Sequence, residues 1–213
     1  MKIANFLETF SKDKSVNNII LKLCSSAIKI SESIRNDDYE KEKTSRNIDG
    51  DLQKPLDIFA DKTLLLSLSI PEVAAYCSEE QNGIVNLNKN GTFVVLTDPL
   101  DGSSNIEANV SIGTIFSIMP RSGLEHENVI FQKGEKQVSS GFFVYGPRTT
   151  LFLTFKNGTH SFFLNNKSKN FELLQEKILL PDNTSEYSIN SSYKRFWHKN
   201  VLSYIENCQA GKA

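Results

Sequence analysis

The stretch from Thr97 to Phe116, T-D-P-L-D-G-S-S-N-I-E-A-N-V-S-I-G-T-I-F, constrains this chain more than any other. The apolar run before it, Phe93-Val94-Val95-Leu96, reads as a buried strand. That strand is expected to end on Asp98, because Pro99 has no N–H to give to a ladder. Asp101 and Gly102 then predict a tight turn, after which Ser103, Ser104 and Asn105 present three polar side chains. Asp98 and Asp101 stand three apart across a proline at the C-terminal end of a strand. Two such carboxylates can converge on a hard divalent cation, with the Leu100 carbonyl as a further oxygen ligand. Gly102, Ser103 and Ser104 offer N–H groups and hydroxyls to an anion, and a helix starting there would add its dipole. A cation site beside an anion site suits phosphate chemistry.

By itself D-P-L-D-G also makes a good surface turn, and on those residues alone the turn is the stronger reading. Glu79-Glu80 change the balance. They close a second strand-like run, Val73-Ala74-Ala75-Tyr76-Cys77. Ligands collect at the C-terminal ends of strands, and here two strands end in acids.

D-P-L-D-G-S-S-N, the V-S-I-G-T-I-F-S-I that follows and the S-E-E upstream together closely resemble class 1 fructose-1,6-bisphosphatases. The shorter D-P-L-D-G-S is shared with the wider group of magnesium-dependent, lithium-sensitive sugar phosphatases, including inositol monophosphatases. Ser104, Asn105 and the Val110 to Phe116 run point to the bisphosphatase branch. The resemblance extends from about Asp51 to the end of the chain. It implies an α/β layered sugar-phosphatase fold, with helices packed on mixed, mostly antiparallel sheets. It also implies a metal-binding phosphatase domain over residues 1–182 and the start of a sugar-phosphate-binding domain over 183–213.

The activity implied is Mg²⁺-dependent hydrolysis of the 1-phosphate of D-fructose 1,6-bisphosphate, a step of gluconeogenesis. It would belong to a cytoplasmic homotetramer with two or more Mg²⁺ per subunit. By the same resemblance Glu79, Glu80, Asp98, the Leu100 carbonyl and Asp101 hold the metals. Glu80 and Asp57 orient and deprotonate the attacking water, and Asp51 sits in a dynamic loop that closes on the site. Asp101, Gly102, Ser103 and Ser104 cradle the phosphate being removed, while Asn190 and Tyr193 contact the distal sugar phosphate. Asp57 also stands in the first turn of a helix opened by Pro55, where a carboxylate is a routine partner of the dipole.

Three features depart from that pattern or broaden it. Nucleotide-inhibited relatives carry T-G-E-L before the first long helix and a Lys-Tyr pair before the central strand. Here Lys12 to Ser15 and Thr92-Phe93 stand instead, so inhibition by AMP through those contacts is not expected. The turn Y-G-P-R-T-T, Tyr145 to Thr150, also resembles sedoheptulose-1,7-bisphosphatases, which widens the substrate choice without changing the chemistry. The sequence stops at Ala213, where the family continues with Tyr, Arg and Lys ligands for sugar phosphates. A fragment that binds Mg²⁺ without turning over substrate is therefore the alternative expectation.

With 213 residues the chain is long enough for one large core, or for one domain and part of another. A net charge of −1 gives no general basic field for nucleic acid. The first residues form no continuous apolar segment, which favours a cytoplasmic location. Cys24, Cys77 and Cys208 are widely spaced and show no zinc pattern with His126, His160 and His198. Residues 15–35 predict an amphipathic helix capped by Ser15, with Val16, Ile19, Ile20, Leu23, Ala27 and Ile34 inward. Asn36 to Asp49 is polar and predicts a mobile loop. The helix from Pro55 is expected to turn Leu56, Phe59, Ala60, Thr63 and Leu66 inward. Asn88 to Gly91 predicts a hairpin turn into the central strand. Short Phe-rich strands follow over 111–119, 138–145, 151–155, 160–164 and 171–174. A terminal helix over 194–209 places Phe196, Trp197, Val201, Leu202 and Ile205 on one face.

Overall fold

The structure, a computed structural model, describes residues 1–39, 45–46, 52–155 and 158–211. It divides into two compact units, Met1–Ile178 and Leu179–Ala213. The first opens with helices α1 (Ile3–Phe10) and α2 (Lys14–Asn36). The short strands β1 (Ser45–Arg46) and β2 (Leu52–Gln53) then pair with each other, and α3 (Pro55–Leu68) follows. Next come β3 (Val73–Ser78), β4 (Val85–Asn86), β5 (Phe93–Asp101), β6 (Ile112–Pro120) and a short helix α4 (His126–Ile130). Strands β7 (Ser139–Tyr145), β8 (Thr150–Thr154), β9 (Thr159–Asn165) and β10 (Asn170–Ile178) complete the unit.

Eight strands form one sheet in the order β10-β9-β8-β7-β6-β5-β3-β4. The β3–β5 pair is parallel and the other pairs are antiparallel, so the expected mixed, mostly antiparallel sheet is present. Helix α3 packs on β3 and β5, α2 on α3 and β7, and α1 on α2 and β10. One contiguous core joins these helices to the inner face, from Ile19, Ile20 and Leu23 through Tyr76 and Val95 to Phe143, Phe162 and Phe171. The opposite face is covered at one end, where α4 sets Val129 against Ala75, Val94 and Met119. Further along that face Ile115 and Phe142 remain 44% and 43% exposed, with Phe142 stacked on Phe152 at 4.9 Å.

Helix α2 follows its apolar period: Val16, Ile19, Ile20, Leu23, Cys24, Ala27 and Ile30 are all buried. Its cap is Asp13 rather than Ser15. The Asp13 carboxylate accepts from the N–H groups of Ser15 and Val16 at 2.9 and 3.2 Å, which starts the helix two residues earlier. Asp37 ends the helix at φ 52°. Part of the segment expected to be a mobile loop, Ser45–Arg46, is a strand paired with Leu52–Gln53. The rest of that loop from residue 40, with Gly50 and Asp51, lies outside the described residues.

In α3 the buried residues are Leu56, Asp57, Ala60, Asp61, Leu64 and Leu68. Leu66 is 77% exposed, so the inner face is rotated from the expected one. It takes in two aspartates: Asp61 meets Tyr76 and Gln81 beneath the helix, and Asp57 accepts from the Lys54 N–H at the helix start. The turn at 88–91 exists, but it is no hairpin: β4 and β5 flank β3 on opposite sides. The chain steps over the end of β3, with the Thr92 and Phe93 N–H groups on the Glu72 carbonyl at 3.0 and 3.1 Å.

In the second unit, the 3₁₀ turn Ser191–Phe196 precedes α5 (Lys199–Gln209). The expected helix over 194–209 is thus shorter, and its proposed face is interrupted before Lys199. Ile205 is buried, whereas Phe196 is 70% exposed and Val201 is 42% exposed. The described residues form no helix long and apolar enough to cross a membrane.

Gly91 lies where backbones meet. A Cβ there would fall on the Ala74 nitrogen and 2.5 Å from the Val73 carbonyl carbon. Gly91→Ala is expected to destabilise the chain by about 1–3 kcal/mol, the usual cost of overpacking. Gly134→Ala, with nothing near its Cβ position, is the control for denaturant titration.

His160 is 1% exposed, packed at 4.8 Å against Phe6, and its Nδ1 accepts from the Lys177 N–H at 3.2 Å. Burial lowers its pKa below the ordinary 6.5; Glu176 opposes this and Lys177 adds to it. The unfolded chain therefore binds a proton at a pH where the folded chain does not. His160 contributes its full stability above pH 6.5 and loses it as pH falls through the lowered value. Between pH 7 and 5 the unfolding midpoint of the wild type should fall relative to that of His160→Gln, whose side chain does not titrate.

Candidate active site

The site gathers at the C-terminal ends of β3 and β5 and at the N-terminus of α3. Pro99 does not end the central strand. β5 continues to Asp101, and the register shifts from Asp98 opposite Ile115 to Asp101 opposite Gly113. Three steps along β5 thus face two along β6, so one extra residue is absorbed as a bulge. A bulge accommodates the missing N–H, and it re-aims the acids on either side of it. The Pro99 carbonyl is held by the Thr114 hydroxyl at 2.8 Å, which in turn pairs with the Tyr145 hydroxyl at 2.8 Å. Leu100 is buried, and its N–H donates to Asp98 Oδ1 at 3.1 Å.

Beyond Asp101, Gly102 takes a left-handed φ of 81°, which favours glycine. Ser103–Asn105 forms a single 3₁₀ turn rather than the start of an α-helix. The helix dipole expected to face an anion here is therefore absent. The N–H groups of Asn105 and Ile106 are already committed to the carbonyls of Gly102 and Ser103, at 2.8 and 3.2 Å. What remains for an anion is hydroxyls and the N–H groups at the front of the turn.

Asp57 is the third residue of α3 and 2% exposed. Its Oδ2 accepts from the Lys54 N–H at 2.7 Å, a capping contact. Its Oδ1 is buried with no hydrogen-bond partner. Burial raises its pKa, opposed by the Lys54 N–H and ammonium, while Glu79 pushes it further up and the nearby Ser103 hydroxyl pulls down. Asp98 is also raised, chiefly by burial; Glu79 hydrogen-bonding and the Leu100 N–H oppose this, while Asp101 and Glu80 add to it. These couplings bring Asp57, Glu79, Glu80, Asp98, Asp101 and Ser103 into one electrostatic neighbourhood. Among the described residues, no three His, Cys, Asp or Glu side chains close around one point as metal ligands would. Glu79 and Asp98 share a hydrogen bond, and the other acids couple to them through Coulomb repulsion.

Among the described residues Lys54 couples to Asp57, and it is paired with Glu107 at 3.2 Å. Ser104 is exposed on the 3₁₀ turn. Asn190 and Tyr193 belong to the second unit. There Asn190 caps the 3₁₀ turn by accepting from the Ser192 N–H at 3.2 Å, and Tyr193 lies 6.3 Å from the Phe196 ring. Asp51 lies outside the described residues.

A second polar layer, not foreseen from sequence, lies behind the acids. Asp61, one turn after Asp57, is 4% exposed and accepts from the Tyr76 hydroxyl at 2.9 Å. Gln81 Nε2 donates to its other oxygen. Thr97 donates to the Tyr76 hydroxyl at 2.9 Å. The four-residue spacing of Asp57 and Asp61 was the available signal, since it puts both on one helix face.

This helix-backed mixed sheet with a strand-end acidic cluster has close relatives. The family model for the N-terminal domain of fructose-1-6-bisphosphatase matches residues 3–176. The class 1 fructose-1,6-bisphosphatase of Azorhizobium caulinodans is 44% identical over 169 residues, which is 78% of this chain and 52% of that protein. The enzyme of the same name from Neisseria meningitidis serogroup A is 43% identical over the same shares. The crystal structure of holo Leishmania major fructose-1,6-bisphosphatase superposes with a TM-score of 0.88 at 27% identity, covering 97% of this chain and 68% of that one. The chain belongs to the fructose-1,6-bisphosphatase family. It spans about half the length of the curated relatives it matches.

Asp57 and Asp98 hold folded-state pKa values above the ordinary 3.8, so each ionised form is destabilised by folding at neutral pH. Their cost is absent below pH 3.8 and grows as pH rises through the raised values. Asp57→Asn and Asp98→Asn should therefore raise the unfolding midpoint at pH 7 in chelator, and the gain should vanish towards pH 4.

Proposed function

We propose that this chain carries the catalytic half-site of a fructose-1,6-bisphosphatase, which hydrolyses the 1-phosphate of D-fructose 1,6-bisphosphate to fructose 6-phosphate and phosphate. The observation that carries the reading is the buried, unpartnered Oδ1 of Asp57 beside Ser103 and Glu79. A buried carboxylate oxygen without a partner is costly unless a cation or a water meets it. The donor set is all oxygen and suits Mg²⁺, held by Glu79, Glu80, Asp98, the Leu100 carbonyl and Asp101. The side chains of Glu79 and Asp101 are exposed at the mouth of the cluster. Bound Mg²⁺ would neutralise phosphate oxygens and make a coordinated water more acidic.

The protein groups divide the remaining work. Asp57 and Glu80, with Asp51, would orient the attacking water and take its proton. Asp101, Gly102, Ser103 and Ser104 would hold the phosphate being removed, through hydroxyls and N–H groups. Asn190 and Tyr193 would meet the distal phosphate of the sugar. Placement in the cytoplasm, in carbohydrate metabolism and in a homotetramer belongs to the same proposal. Sedoheptulose 1,7-bisphosphate is the alternative substrate, suggested by Tyr145 to Thr150. A second reading is Mg²⁺ binding at these acids without turnover.

The test is phosphate release from fructose 1,6-bisphosphate with and without Mg²⁺, beside sedoheptulose 1,7-bisphosphate and inositol monophosphate. Mg²⁺-dependent turnover of the first is expected, and Asp98→Asn should reduce it at least ~10³-fold while the fold persists. No turnover on any substrate, with Mg²⁺ still raising the melting temperature, would select the second reading. Full activity in Asp98→Asn would overturn both.

A further inference from the structure

Behind the acidic cluster lies a closed set of polar contacts that the proposed reaction does not use. Asp61 is 4% exposed and Tyr76 is wholly buried, yet their contact is fully polar: the Tyr76 hydroxyl donates to Asp61 Oδ1 at 2.9 Å. The same hydroxyl accepts from Thr97 at 2.9 Å, and Gln81 Nε2 donates to Asp61 Oδ2. An apolar pair would fill this space at lower desolvation cost, so the polar set has a role beyond packing.

The connectivity suggests that role. Asp61 lies one helical turn from Asp57 on α3, Thr97 directly precedes Asp98 on β5, and Gln81 directly follows Glu80 after β3. Tyr76 lies on β3, the strand that leads into Glu79. Each of the three backbone segments that present acids is thus tied to one carboxylate. A further tie comes from Ser78, whose hydroxyl accepts from the Glu80 N–H at 3.1 Å.

We propose that Asp61, through Tyr76 and Gln81, is a positioning residue that sets the Glu79-Glu80 segment against Asp57 and Asp98. The inference rests on the metal-site reading above. Without such ties the segment after β3 could relax away from the other acids, since like charges repel and β3 ends at Ser78. Each tie costs little in flexibility and fixes the spacing before any cation arrives. Outer contacts of this kind commonly change metal affinity ten- to a hundredfold when removed.

Gln81→Ala is the most informative variant, because Gln81 is only half-buried and its loss leaves the core intact. Tyr76→Phe is the second, removing one hydroxyl at constant shape. Ser139→Ala is the control: it deletes a buried hydrogen bond to the Thr154 carbonyl, 2.9 Å long, on another part of the sheet. Mg²⁺ affinity by titration calorimetry and the melting temperature in chelator are read for all three. The expected result is Mg²⁺ binding about 10- to 100-fold weaker in Gln81→Ala and Tyr76→Phe, and unchanged in Ser139→Ala at similar loss of stability. Wild-type affinity in both network variants would overturn the positioning role and leave the metal site standing. If the wild type and Asp98→Asn alike bind no Mg²⁺, the metal site itself falls and the positioning role falls with it.

Discussion

Like-charge repulsion is the constraint on which this architecture turns. Asp57, Glu79, Glu80, Asp98 and Asp101 arrive from three separate segments, and folding gains nothing from their proximity. Burial and mutual repulsion raise the pKa values of Asp57 and Asp98, so the cluster opposes folding at neutral pH. The rest of the unit offsets that cost. A single apolar core joins three helices to an eight-stranded sheet, and each fully buried Leu, Ile or Phe contributes about 1.5–3 kcal/mol. Stability made in the core is used to hold acids at one end of the sheet.

The distribution of legibility follows from this division. Long-period features were readable because they are local: the face of α2, the Pro55 start of α3 and the short Phe-rich strands each carry their own pattern. The family resemblance rested on D-P-L-D-G-S-S-N and S-E-E, and the fold agrees with it. Features set by tertiary context were not readable. Pro99 looked like a stop because a proline removes a ladder bond; β5 absorbs it as a bulge and continues. Asn88 to Gly91 looked like a hairpin, but β3 inserts between the strands that the turn joins. Nothing local to the turn encodes that crossover.

The inner face of α3 illustrates the same limit within one element. Apolar periodicity favoured Leu66, which points outward, over Asp61, which points inward. A buried carboxylate is legible only if its partners are known, and Tyr76, Gln81 and Thr97 come from distant positions. Similarly, Asp13 outcompetes Ser15 as a cap because its carboxylate reaches two N–H groups at once. In the site, Asp57, Glu79, Glu80, Asp98 and Asp101 share one neighbourhood, whereas the anticipated helix dipole is replaced by a 3₁₀ turn.

The uncovered half of the outer sheet face has a consequence for handling the chain. Ile115 and Phe142 are exposed there, Phe142 is stacked on Phe152, and Phe131 is 84% exposed in the same unit. The net charge is only −1 and the sequence pI is about 6.3. Little electrostatic repulsion keeps such side chains of neighbouring molecules apart near neutral pH. Raising the pH above the pI adds negative charge, so contact between such exposed apolar side chains is opposed most in mildly alkaline, low-salt buffers.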